Sequence, residues 1–135
     1  MTTTETEQIP IRLDFDPKLR ELVRIRASQL NGCAYCIDMH TKDARAAGET
    51  EQRIYALPAW RETPFFTTRE RAALAFTETV TLLAQTHVPT EAYQEVAALY
   101  RPDEIAALVS LITVINAWNT VGVSTRTWLP GSYEP

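Results

Sequence analysis

The chain has 135 residues, a formal net charge of −4 and 22% charged residues. That length is enough for one domain whose core needs no disulfide or metal staple, and too short for a second domain of ordinary size. No Lys/Arg cluster forms a stripe that could track phosphates or anionic lipid, so neither nucleic acid nor a membrane is expected as a partner.

Met1 to Pro10 is polar and Thr/Glu-rich, with no basic or apolar run, and reads as a flexible arm rather than a signal peptide. The expected location is therefore cytoplasmic, with residues 11–135 forming one domain. After Pro17 apolar residues recur at helical spacing, glycine is scarce and no β-branched alternation occurs. The expected fold is all-α, a single-domain bundle of about six helices. Asp16 and Pro17 start the first helix, whose stripe of Leu19, Leu22, Val23, Ala27 and Leu30 stops at Asn31 and Gly32.

A second helix begins at the cysteines and ends near Gly48, with Cys33, Cys36, Ile37, His40, Ala44 and Ala47 on its inner face. A short helix spans about Thr50 to Leu57 and is ended by Pro58, and Trp60 to Phe66 reads as a loop anchored by aromatics. Thr67 and Glu70 have capping-box spacing, which opens a helix expected to run to about Gln85. Pro89 and Thr90 open another, with Tyr93, Val96 and Tyr100 as its inner face. Pro102 starts the last helix, whose segment Ile105 to Thr125 carries no charge. Its Ser, Thr and Asn content argues against a membrane span and for a helix buried on nearly every side.

The chemistry concentrates in Cys33, Ala34, Tyr35, Cys36 and His40, and these two cysteines are the only ones in the chain. A dithiol two residues apart can close and reopen a disulfide, but a thiol with a pKa near 8.5 is only about 3% ionised at pH 7. Placing both sulfurs at a helix start opened by Asn31 and Gly32 aims unpaired N–H groups and the positive dipole end at them. Positions 33, 36 and 40 share one helix face, with His40 about 6 Å along the axis from Cys36. In a hairpin about Asn31 and Gly32, Glu21 lies ten residues before the break and His40 eight after it, nearly level across the interface.

Glu21 is then either the partner that orients His40 or a surface charge paired with Arg24. A zinc site lacks a fourth strong ligand, since His87 sits in a loop before Val88 and Pro89. Trp60, Trp118, Asn116 and Asn119 serve either as core anchors or, with Tyr35, as walls of a substrate pocket.

The run from Asn31 to Arg45, with Thr68 to Ala75 and Ile115 to Asn119, resembles the alkylhydroperoxidase D-like branch of the carboxymuconolactone decarboxylase family. Glu21, eleven residues, Cys33, two residues, Cys36, three residues and His40 carry the likeness. It implies an all-helical fold assembling as a homotrimer or homohexamer. It also implies a peroxidase in which Cys36 attacks a hydroperoxide, Cys33 resolves the sulfenic acid, and Glu21 and His40 relay protons. The reductant would be a dithiol, free or lipoyl-type on a protein, with no cofactor or metal. The founding enzyme has a histidine where this chain has Tyr35, and the decarboxylase branch lacks the cysteine pair. Two other readings of the dithiol are a thiol-disulfide reductase and a redox-sensing, ligand-binding helical oligomer.

Overall fold

The computed structural model describes residues 15–135, so the arm expected over residues 1–10 lies outside the described residues. Among the described residues there are seven α-helices, one 3-10 helix and no strands. In chain order they are α1 (Pro17–Asn31), α2 (Ala34–Ala46), α3 (Glu51–Ala56), the 3-10 helix (Leu57–Glu62), α4 (Thr68–Thr81), α5 (Leu83–Thr86), α6 (Thr90–Ala97) and α7 (Pro102–Thr125).

Helix α1 is central because it is apolar on two sides. Leu19 and Val23 join a cluster with Phe76, Val96, Leu108 and Ile112. Leu22 and Ile25 join a second cluster with Leu57, Trp60, Phe66 and Leu74. It therefore packs against α2, α4 and α7 at once. Its ends follow the local chemistry: Asp16 accepts the Lys18 N–H at 2.9 Å beside Pro17 at the first turn, and Gly32 closes it at φ 71°. Any side chain at that left-handed position would be strained, so the glycine is what lets α2 begin two residues later, at Ala34.

Several expectations are corrected. The helix expected to reach Gln85 breaks at Leu82, after the β-branched run of Thr79, Val80 and Thr81, and beyond the break the Thr86 hydroxyl donates to the Thr79 carbonyl at 2.7 Å. Trp60 is not in a loop: Pro58 occupies the first turn of the 3-10 helix, a position that needs no N–H. Ala47 and Tyr93, expected on inner faces, are exposed. Helix α7 is long and apolar enough to cross a membrane by length and composition alone. Its Ile105, Leu108, Ile112, Ile115 and Asn119 line the core, but Val109, Val114, Trp118 and Val121 are open, so it is not covered on every side.

Behind α3 a buried ion-pair network ties the small helices to α4. Arg53 donates to Glu49 at 2.9 Å, to Glu70 at 3.0 Å and to the Phe65 carbonyl at 2.9 Å. Burial would raise the Glu70 carboxyl, but Arg53 and the Thr67 N–H hold it below its usual range. Arg53→Met leaves two buried carboxylates without their cation and is expected to cost about 3–5 kcal/mol in urea unfolding at pH 7. Because the folded Glu70 pKa is depressed, its contribution is present above the ordinary value of 4.5 and is lost as pH falls through the lower, folded value. The stability difference between parent and variant should shrink in that acid window.

Candidate functional site

The turn that carries the cysteines is pinned from both sides. The Cys33 N–H bonds the Ser28 carbonyl at 3.0 Å, closing α1, and Cys33 itself caps α2. Asn31 donates to Asn116 at 2.8 Å and to Asn119 at 3.0 Å, and the Asn119 amide donates to the Ser28 hydroxyl at 3.0 Å. The α7 asparagines thus hold the Gly32 turn in place by accepting from Asn31, with Asn119 also donating to Ser28. Asn119 is fully buried, and neither asparagine is among the residues lining the two cavities described below.

Cys33 and Cys36 form a disulfide with Cα atoms 5.2 Å apart. The Cys33 sulfur also accepts the Cys36 N–H at 3.3 Å, the capping contact that favours negative charge on that sulfur when the bond is open. Both residues are buried.

His40 lies one turn on. Its Nδ1 is 2.9 Å from Glu21 Oε2, across the α1–α2 interface where the register argument places it. Glu21 also accepts from Arg24 at 2.7 Å, but it is buried rather than the surface charge of the alternative reading. Burial would raise the Glu21 carboxyl, yet the His40 hydrogen bond and the Arg24 charge hold it below its usual range. An ionised Glu21 fixes the proton of neutral His40 on Nδ1 and leaves Nε2 as the basic nitrogen.

Cys36 and His40 open onto one cavity of about 420 Å³, whose walls include Tyr35, Met39, Trp118 and Trp128. Arg24 is its cationic edge. Trp60, the other candidate wall, lies elsewhere: it is buried in the second core cluster and donates to Glu78 at 3.0 Å. Tyr35 packs its ring against Trp128 at 5.6 Å. No hydrogen bond joins it to the Glu21–His40 pair.

Trp128 was missed by the sequence reading. It sits in the tail after α7 and is held between Tyr35 and Trp118. The tail is tied to α2 by three bonds: Gly131 N–H to Asp38 at 3.2 Å, Lys42 to the Tyr133 carbonyl at 3.0 Å, and the Tyr133 hydroxyl to Asp43 at 2.6 Å. The available signal was two large aromatics in a short polar tail with no helical partner, a composition that needs a surface to cover them.

Glu21, His40 and Asp43 bring donor atoms within 4.8 Å of one another. Their contacts are already those of a hydrogen-bond network, since Glu21 serves His40 and Arg24 while Asp43 takes the Tyr133 hydroxyl. A cation there would have to stand beside the Arg24 guanidinium, which disfavours it.

The profile of the carboxymuconolactone decarboxylase family matches residues 8–79, a stretch that holds Glu21, both cysteines and His40. The chain belongs to the carboxymuconolactone decarboxylase family. It is 50% identical over 105 residues to the uncharacterized protein YdfG of Bacillus subtilis (strain 168), covering 78% of this chain and 71% of YdfG. A solved structure from Agrobacterium tumefaciens, of unknown function and ascribed to AhpD-type antioxidant defence, is 38% identical with a TM-score of 0.83. That match covers 87% of this chain and 80% of the other. The debrominase Bmp8 is similar in fold at 19% identity and a TM-score of 0.77, over 87% of this chain and 62% of Bmp8. At that identity the likeness to Bmp8 concerns the fold alone, and a shared fold does not assign a chemistry.

Proposed function

We propose that the protein is a cytoplasmic dithiol peroxidase acting on organic hydroperoxides. The observation that carries this reading is that Cys36 and the Glu21-held His40 face one cavity while Cys33 is within bonding reach of Cys36. His40 Nε2 takes the Cys36 thiol proton, and the thiolate attacks the terminal peroxide oxygen. The O–O bond breaks, the alkoxide leaves with a proton from the imidazolium, and Cys36 becomes a sulfenic acid. Cys33 then attacks the Cys36 sulfur, water leaves, and the disulfide forms. Two thiols have been oxidised and one hydroperoxide reduced to an alcohol and water. An external dithiol resets the pair.

The aromatic and aliphatic walls favour a hydroperoxide with an apolar body over hydrogen peroxide, because only the former buries surface there. The test is steady-state turnover of cumene hydroperoxide and hydrogen peroxide with dihydrolipoamide, beside reduction of insulin disulfides. The expected result is a higher kcat/KM for cumene hydroperoxide and no insulin reduction. Insulin reduction without peroxide consumption would assign the dithiol to thiol-disulfide exchange, and oxidation without turnover would assign it to sensing.

The open stripe of Val114, Trp118 and Val121 on α7 includes two walls of the same cavity, Val114 and Trp118, which supports assembly through this face as a homotrimer or homohexamer. Sedimentation equilibrium at micromolar concentration should give three or six times the chain mass of 15.2 kDa. A single-chain species with full turnover would overturn the assembly.

A further inference from the structure

The two cysteines of the disulfide do not line the same cavity. Cys36 lines the cavity that holds His40 and Met39, and Cys33 does not line it. Cys33 lines a second cavity of about 470 Å³, from which Cys36 and His40 are absent. Tyr35 and Trp128, packed ring to ring at 5.6 Å, line both and form the partition between them. Gly122 keeps the second cavity open to the sulfur. A Cβ there would stand 3.1 Å from Cys33 Sγ and 3.2 Å from the Trp128 ring, closer than such atoms ordinarily pack.

We propose that this second cavity is the reductant site: a slender dithiol with an apolar body enters it and attacks Cys33, while the hydroperoxide uses the first cavity and meets only Cys36. This deepens the dithiol-peroxidase reading and rests on it for the oxidising half alone.

Three features favour the assignment. A thiolate can attack only a disulfide sulfur it can reach, and from the second cavity that sulfur is Cys33. Attack there makes Cys36 the leaving thiolate, released into the cavity that also holds His40, whose Nε2 can take a proton from solvent and pass it to the sulfur. The walls suit such a ligand: Val123, Leu129 and Trp128 are apolar, and Arg126 is the only charged lining side chain, favouring an incoming thiolate. Cys33 itself is 2% exposed, so a bulky, twice-carboxylated monothiol such as glutathione is poorly matched to it.

The step balances. The dithiol's thiolate forms a bond to Cys33 sulfur as the Cys33–Cys36 bond breaks, and Cys36 takes a proton. The dithiol's second thiol then attacks its own sulfur in the mixed disulfide and expels Cys33, so the dithiol leaves as a cyclic disulfide and both cysteines are reduced. A tethered second thiol makes that last step intramolecular, which a monothiol cannot match.

The experiment starts from protein oxidised with diamide, so that its disulfide does not depend on peroxidase activity. A brief pulse of 2-mercaptoethanol, acid quench, alkylation and peptide mapping should find the adduct on Cys33 and the alkyl label on Cys36. The adduct on Cys36 overturns the proposal, with no variant needed.

Val123→Trp, which fills the second cavity, should slow disulfide reduction at least tenfold, both by free dihydrolipoamide and by a reduced lipoyl domain. Its single-turnover oxidation by cumene hydroperoxide should stay within twofold. Slowing with only one donor assigns the cavity to that source, and slowing with neither overturns the proposal. Met39→Trp, which fills the first cavity, should show the opposite pattern, and equal slowing of both half-reactions by each variant would likewise overturn separate routes. Far-UV circular dichroism confirms that the helices persist. If the parent fails to react with hydroperoxide, the peroxidase reading falls while the adduct map and the reduction rates still decide the site.

Discussion

Cys36→Ser is expected to reduce hydroperoxide consumption to the rate of the donor dithiol alone. A serine hydroxyl is neither ionised at neutral pH nor able to form a sulfenic acid or a disulfide, so both the attacking atom and the product of attack are lost. Cys33→Ser should behave differently. Its Cys36 still faces the cavity beside His40, so one equivalent of hydroperoxide should be consumed in a fast first turnover. With no resolving sulfur, the sulfenic acid then persists long enough to be captured by dimedone, and excess peroxide carries it to the irreversible sulfinic acid. The contrast between the variants assigns the roles, which a simple loss of activity in both would not do. A first-turnover burst in Cys36→Ser with none in Cys33→Ser would reverse the assignment, a result the capping N–H on Cys33 would then explain.

The part of the site legible in the sequence is the part fixed by local rules. Asp16 and Pro17 mark where α1 begins, Gly32 marks where it must end, and counting residues on either side of that break places Glu21 opposite His40. A helix rise is a constant, so two positions on adjacent helices of one hairpin can be levelled without coordinates. What was not legible depends on contacts far apart in sequence. Trp128 belongs to a tail without periodicity, and its place between Tyr35 and Trp118 is set by bonds to Asp38, Lys42 and Asp43, about ninety residues away in the chain.

The last helix shows the same limit from another side. Its composition says that it is apolar, but which turns are covered depends on how far α1, α4 and α6 reach along it. Trp60 and Trp118 look alike in sequence, yet one is buried against Glu78 and the other is a cavity wall. The break at Leu82 is likewise a side-chain event, the Thr86 hydroxyl reaching the Thr79 carbonyl, which helical periodicity does not register.

His40→Ala is expected to slow the first turnover with hydroperoxide by roughly 10²–10⁴-fold, the range that a positioned general base commonly contributes. Glu21→Gln should cost roughly 10²-fold, because a glutamine keeps a hydrogen bond to Nδ1 but not the negative charge that faces the ring as it takes and gives up a proton. The fold should tolerate that change, since Arg24 is partly exposed and can turn to water.

Two readouts separate proton transfer from mere positioning. Added imidazole should restore part of the rate in His40→Ala, because the lost ring leaves a gap opening onto the cavity that holds Cys36, and a free imidazole can occupy it. It should do nothing for Glu21→Gln, where the ring is still present. The second readout is acid stability. Glu21 has a depressed folded pKa, so its contribution is present above the ordinary value of 4.5 and disappears as pH falls through the lower, folded value. Parent and Glu21→Gln should therefore differ in stability at pH 7 and converge in strong acid. If His40→Ala kept the parent rate at pH 7, the Glu21–His40 pair would be left with only the structural role of joining α1 to α2.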